Sequence, residues 1–316
     1  MQEEPGMESL IGEVWGLVLA GGEGNRLLPL TRFITGDPCP KQFCIVSGAR
    51  TLLAETLARI GPVIPPERTV VVGNGIHACY LRRELPGPTP HLLLQPSNKG
   101  TGPGILLPVH WVSWRDPEAL VAIFPSDHFV LQERAFLAYV ARAARIVRRR
   151  PELVVLLGME PDSPEDGYGW IESGEPVSEG DVCYRVQSFR EKPTAREARV
   201  FFRSGFLWNS LVIVGRVGAL KALGREYVPG VDARLSRIQA FAGTEHEAWA
   251  IQQAYALMRP ANFSRDILEP GARSLAVLPV RGVLWSDWGT PERVIRTLGR
   301  VGASPQWLQA WSKRSA

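Results

Sequence analysis

Cysteine and histidine are scarce in this 316-residue chain. The four cysteines, Cys39, Cys44, Cys79 and Cys183, form no CxxC pair, and the five histidines are scattered. This argues against a zinc site and for a reduced, cytoplasmic setting. No uncharged apolar run approaches the ~20 residues of a membrane-spanning helix. The N-terminal MQEEPGMESLIGE is acidic and has no apolar core of the signal-peptide kind. A membrane is therefore not an expected partner. Basic residues barely outnumber acidic ones, 36 to 32, and no basic tract is interleaved with aromatics. Nucleic acid is not expected either. The densest basic run, Arg145 to Arg150, follows an apolar-periodic stretch and reads as a helix C-terminus complementing the helix dipole. No internal repeat or low-complexity linker is visible. What is left is an ordinary globular composition, 45% hydrophobic and 22% charged, long enough to bury a large core.

The first half alternates strand and helix signals. Apolar or β-branched runs at 14–20, 69–72, 91–94, 120–124 and 153–158 predict strands. Helical spacing appears at 51–60, 76–85, 101–114 and 132–149, the third made irregular by Pro103 and Pro108. This alternation predicts a mostly parallel sheet with helices on both faces and ligand-binding loops at the carboxyl ends of the strands. The second half has aromatic-rich strands at 168–173, 182–191 and 206–214 and late strands at 274–279 and 283–285. Helices are expected at 194–203, 219–225, 231–241, 245–257 and 291–299, with a final turn at 307–311. The expected organisation is a loose extension over 1–13, one domain over 14–300 with halves at 14–160 and 161–300, and a short tail over 301–316.

Leu17 to Phe43, LVLAGGEGNRLLPLTRFITGDPCPKQF, is the stretch with the strongest chemical signal. A buried strand ends in Leu19 and Ala20 and empties into Gly21, Gly22 and Gly24. Arg26 follows, then a proline-broken loop, then Lys41. Backbone N–H groups beside two cations suit a polyphosphate, although a tight turn alone would also use these glycines. The loop is neither a Walker sequence nor a dinucleotide fingerprint, since Leu27 stands where a third glycine would be. Asp127 in FPSDH and Asp287 in WSDWGT each follow a strand. Each is a helix-cap or turn residue or one of a pair of magnesium ligands. Glu191-Lys192-Pro193 would hold two charges at a sheet edge. Asn209 stands in an apolar stretch, and Gly169 lies between Tyr168 and Trp170, consistent with close approach of a sugar or base or with a bulge.

Taken together, LAGGEGNRLLPLT, PKQF, QPSNKGTGP, FPSDH, GYGWI, EKP, FLWNS, NFSRDILE and WSDWGT resemble, in order, the segments of the sugar-1-phosphate nucleotidyltransferases. The likeness is strongest to the mannose-1-phosphate guanylyltransferase branch and runs from Val14 to about Thr290. The resemblance implies a GT-A-like, Rossmann-related α/β/α sandwich with a sugar-binding second half; unlike many members of the family, this sequence, with only a short tail after Thr290, is expected to carry no β-helix or cupin domain. It implies GTP and mannose 1-phosphate as substrates, Mg2+ as cofactor, and GDP-mannose and pyrophosphate as products. By position, Leu19, Ala20, Gly21, Gly22, Gly24, Gln95, Pro96, Thr101 and Asp127 would bind the nucleotide. Arg26, Lys41 and Lys192 would be catalytic, and Asp127 and Asp287 would hold the metal. Gly169, Glu191, Asn209 and Asp266 would face the sugar. A homodimer is compatible with this reading.

Several positions depart from the family pattern. RNTAP is here Lys99-Gly100-Thr101-Gly102-Pro103, which loses an arginine fork. The usual glycine after Asn-Ser is Leu211, whose side chain would narrow the sugar pocket or turn into the core. Residues 264–269 match the family's SIDYAVME only in part. The alternatives are therefore another sugar 1-phosphate and nucleotide pair, such as one with glucose 1-phosphate, or a catalytically silent nucleotide-sugar-binding regulator. A glycosyltransferase of the same fold would carry a DxD motif, and Asp127 is followed by His128 and Phe129.

Overall fold

The computed structural model describes residues 13–178 and 182–315. The expected N-terminal extension lies outside these residues apart from Glu13. The chain begins with strand β1 (Trp15–Ala20), helix α1 (Leu28–Thr35), α2 (Leu52–Ile60), β2 (Thr69–Asn74), α3 (Ala78–Glu84) and β3 (His91–Gln95). It continues with α4 (Thr101–Arg115), β4 (Leu120–Pro125), β5 (Phe129–Val130), α5 (Glu133–Arg149) and β6 (Val154–Met159). The second half comprises β7 (Gly169–Pro176), β8 (Tyr184–Glu191), α6 (Ala195–Arg203), β9 (Leu207–Arg216), α7 (Val217–Tyr227), α8 (Pro229–Ile238) and α9 (Glu247–Ala256). Then come β10 (Leu275–Val280), β11 (Trp285–Ser286), α10 (Pro291–Val301) and α11 (Gln306–Ser315).

Among the described residues, nine strands form one sheet in the order β3-β2-β1-β4-β9-β6-β10-β8-β7, and β5 pairs with β11. β2, β4 and β6 are buried along their whole length, as strands covered on both faces must be. One apolar layer carries Val18, Leu53, Val140 and Leu157. The other carries Leu17, Leu106, Leu220 and Ile251. α2 and α5 thus cover one face and α4, α7 and α9 the other. α4 is buried on nearly every side, Gly102 to Ser113, which explains its lack of a polar stripe. Among the described residues no helix is long and apolar enough to cross a membrane.

The expectation of a mostly parallel sheet is corrected. β1, β2, β3 and β4 are parallel, as are β6 and β10, but β9 runs antiparallel to both β4 and β6, and β7, β8 and β10 also pair antiparallel. Between β7 and β8 only seven residues intervene, too few for a crossover, so these two strands can pair only antiparallel. The proline-broken loop after Arg26 is also corrected, since it contains α1. Pro29 lies in the first turn, where a missing N–H costs no hydrogen bond, and Gly36 at φ 84° closes the helix. The expected final turn is the helix α11, anchored by Trp307 Nε1 donating to the Val46 carbonyl at 2.8 Å and by the Trp311 ring against Phe33.

Gly158 is closely packed near the sheet's centre. A Cβ there would lie 2.7 Å from Val277 Cγ2 and 2.8 and 3.0 Å from Leu207 side-chain atoms. Gly158→Ala is expected to cost about 1–3 kcal/mol through overpacking. Urea unfolding checks this: the midpoint should fall with an unchanged slope, and an unchanged midpoint would contradict the packing described.

Candidate functional site

The glycine loop leaves β1 between β2 and β4, at the carboxyl edge of the parallel strands. Two contacts shape it. Gln42, buried in the short helical turn after Pro40, donates its amide Nε2 to the carbonyls of Ala20 (3.0 Å) and Gly22 (2.9 Å). Gly24 has φ 65°, and a Cβ there would lie 3.0 Å from Lys41 Cβ and 3.2 Å from its backbone nitrogen. The loop therefore needs glycine at position 24 both for its backbone angle and for its contact with Lys41. Arg26, with 57% of its side chain exposed, reaches within 4.0 Å of Asp287.

Lys41 is only 5% exposed. Its ammonium is 3.1 Å from Asp127 Oδ2 and donates to the main-chain carbonyl of Asp287. The two strand-end aspartates, far apart in sequence, thus meet at one lysine. Their settings differ. Asp127 lines an open cleft of about 350 Å³ together with Leu19, Gly21, Gln95, Thr101 and Leu211. The Asp287 carboxylate is already engaged: Tyr168 Oη and the Gly289 N–H each donate to Oδ1 at 2.9 Å, and Arg293 Nη1 sits 3.1 Å from both oxygens. Burial would raise the Asp287 carboxyl, but Lys41 and Arg293 outweigh it and hold it below the usual carboxylate value. Arg293 also binds Glu165 at 2.8 Å and lies over the Tyr168 ring. Beside Asp127, burial pushes His128 down to about 4, so the ring is neutral at pH 7. Among the described residues, no group of three or more His, Cys, Asp and Glu side chains is arranged to hold a metal.

The second cluster joins three strands. Gly169 pairs with Glu191 across β7 and β8. A Cβ on Gly169 would lie 2.9 Å from Glu191 Oε2 and 3.2 Å from Asn209 Cβ. Burial raises the Glu191 carboxyl above its usual value, against the pull of Lys192. Lys192 Nζ is 3.6 Å from Glu191 Oε1. Asn209 accepts the Leu211 N–H at 3.0 Å. Leu211 both packs on the core and lines the cleft. Among the described residues, three non-glycine residues have left-handed backbone: Lys192 (φ 48°), Leu211 (φ 56°) and Trp288 (φ 45°). Each lies within two residues of Glu191, Asn209 or Asp287. Such angles cost about 1 kcal/mol or more each, so strain concentrates at this site.

Neither Asp266 nor Pro96 lines the cleft. Asp266 spends Oδ2 on the Asn262 N–H at 2.7 Å, a capping contact. Pro96 is exposed beside Gln95. Thr101 Oγ1 accepts from the Phe263 N–H at 2.8 Å and so ties the start of α4 to the 261–263 segment. Sequence reasoning missed Gln42 and Arg293. Gln42 stands in PKQF, where its neighbour Lys41 drew the attention. Arg293 lies in a helix N-terminus, and nothing in its spacing from Asp287 announces the fork between them.

The nucleotidyl transferase family model matches residues 15–299. Mannose-1-phosphate guanylyltransferase of Escherichia coli K12 is 31% identical over 288 residues, 88% of this chain and 58% of the relative. The chain thus spans little more than half the length of that relative. Alginate biosynthesis protein AlgA of Pseudomonas aeruginosa is 31% identical over 198 residues, 61% of this chain and 40% of that protein. Among solved structures, mannose-1-phosphate geranyltransferase from Thermus thermophilus superposes with a TM-score of 0.77 at 29% identity, covering 93% of this chain and 80% of the other. UDP-glucose pyrophosphorylase complexed with UDP-glucose shares the fold, with a TM-score of 0.57 at 14% identity and coverage of 92% and 98%.

Arg293→Ala would leave the largely buried Asp287 carboxylate without its guanidinium. The expected loss is about 3–5 kcal/mol, the usual cost of breaking a buried pair. Arg293→Lys, which keeps the charge but not the fork, should lose less. Denaturant titration of both variants is the check, and wild-type stability in Arg293→Ala would contradict the clamp.

Proposed function

Because the chain belongs to the nucleotidyl transferase family, we propose that it joins GTP to mannose 1-phosphate, giving GDP-mannose and pyrophosphate. The carrying observation is the convergence of Gly24, Asp127 and Asp287 on a buried Lys41 at the mouth of the cleft. A sugar phosphate has a second pKa of about 6 and is largely dianionic at pH 7. It can attack the α-phosphorus without a general base, and the neutral His128 is not needed as one. What the reaction demands is alignment of two anions and offset of the charge on the transferring group and the leaving pyrophosphate.

The chain's residues divide these tasks. Gly21, Gly22 and Gly24 bring backbone N–H groups close to the triphosphate. Lys41 offsets charge from a fixed position, and Arg26, largely exposed and only loosely paired with Asp287, closes onto the leaving pyrophosphate. Leu19, Gln95 and Thr101 line the nucleoside end. Glu191 and Asn209, with Gly169 leaving room between them, receive the sugar, and Lys192 its phosphate. Mg2+ would supply further charge neutralisation at the phosphates. Asp127, a carboxylate open to the cleft, fits the role of its ligand. Asp287, with both oxygens engaged by Tyr168, Gly289 and Arg293, fits better as the brace that holds Lys41. Leu211 favours a second reading of sugar choice: a branched side chain on the cleft wall could select a different sugar 1-phosphate.

Pyrophosphate release is the test. Wild-type enzyme with GTP and mannose 1-phosphate should turn over, and turnover only with another pair would overturn the assignment. Lys41→Ala and Asp127→Ala should each lose about a hundredfold or more in kcat, the scale for removing a preorganised charge, while still folding. Wild-type protein that binds GDP-mannose but turns over no pair would be a silent regulator instead.

A further inference from the structure

Gln95 ends β3 and is 5% exposed, with neighbours on three sides. The Tyr255 hydroxyl of α9 points at Gln95 Oε1 from 3.2 Å and at the Pro103 carbonyl from 3.3 Å. Gly104 lies against the amide, where a Cβ would be 3.4 Å from Oε1. Gly21 lies in front, where a Cβ would be 2.7 Å from Nε2. One hydroxyl proton cannot serve two acceptors. The Pro103 carbonyl belongs to the first turn of α4, where the N–H four residues on is its regular partner, whereas Gln95 Oε1 has no other donor among the described residues, so the proton is better spent on Gln95. Tyr255 is 1% exposed, and burial raises its pKa, so it remains a protonated donor.

With Oε1 occupied, the amide nitrogen faces the glycine loop and the cleft. It has no acceptor among the described residues. Gln95 lines the cleft, so this N–H is open to a ligand there. We infer that Tyr255 is a positioning residue that locks the Gln95 amide with only N–H groups toward the cleft, so that the site selects a nucleobase presenting a carbonyl oxygen there over adenine's amino group. This rests on the nucleotide reading of the cleft proposed above. Guanine and adenine differ in this way, a carbonyl oxygen against an amino group at the same ring position. An amide released from Tyr255 can turn over and offer either its oxygen or its nitrogen, and the preference then fades.

The experiment is calorimetric titration of wild type, Tyr255→Phe and Gln95→Glu with GTP and with ATP, without sugar phosphate. Wild type should prefer GTP. Tyr255→Phe should reduce the GTP-to-ATP affinity ratio about tenfold, the scale of one hydrogen bond, with mannose 1-phosphate affinity unchanged. Gln95→Glu keeps an acceptor for Tyr255 but offers no N–H, and should also lose the preference. A ratio measured on one preparation does not move with the folded fraction, so loss of stability alone cannot mimic the result. Should Tyr255→Phe fail to fold, Gln95→Glu decides. A wild-type ratio in the folded variants, or a wild-type protein that binds ATP as tightly as GTP, overturns the inference. Wild type that binds with the expected preference yet turns over no substrate pair overturns the proposed activity and leaves this inference standing.

Discussion

A buried ammonium needs partners, and the arrangement of this site follows from where Lys41 finds them. Removed from water, its charge must be met by oxygen atoms in fixed positions. One comes from the end of β4, as Asp127, and another from the main chain just after β11, at Asp287. The glycine loop packs directly on the Lys41 backbone at Gly24. Asp287 cannot drift, because Arg293 and Tyr168 hold its carboxylate. Arg293 is fixed in turn by Glu165. Segments separated by more than 240 positions are thereby brought to one point. The geometry of the site depends on this chain of contacts.

The glycine loop, Lys41, Asp127 and Asp287 were legible in the sequence because each lies where an apolar strand or a proline-marked turn ends. Such punctuation is a local signal. The strand periods likewise showed where the sheet would be. Their directions were less legible: β9 between β4 and β6 is a long-range pairing, and no local residue pattern specifies which neighbours a strand will choose. α1 was hidden by its own proline, since Pro29 is compatible with a first turn yet reads as a breaker. Gln42 and Arg293 were missed for another reason. Both work by reaching partners in other segments, Gln42 about twenty residues away and Arg293 across to Glu165, and a polar side chain does not declare its partner in advance. Asp266 shows the converse, a carboxylate in a suggestive motif that the fold spends on a cap.

The two ends of the site are held by different physics. Around the glycine loop the backbone is fixed by hydrogen bonds and by the absence of side chains. Around Glu191 and Asn209 it is fixed by strain, with Lys192 and Leu211 forced into left-handed backbone beside the residues they orient. Leu211 makes the contrast plain. Its backbone angle is one that glycine adopts freely, and this chain keeps a leucine there, lining the cleft. Leu211 lies within β9 where its register against β6 shifts, between the Leu156–Ile213 and Gly158–Asn209 pairs.

That same sheet limits how the molecule can move. β9 belongs to the second half of the chain, yet it is hydrogen-bonded on both sides to strands of the first. A hinge between the halves would have to distort those ladders, so the sheet resists rotation of one half against the other. The spacing between the glycine loop and the Glu191–Asn209 cluster is then a property of the frame, set when the protein folds.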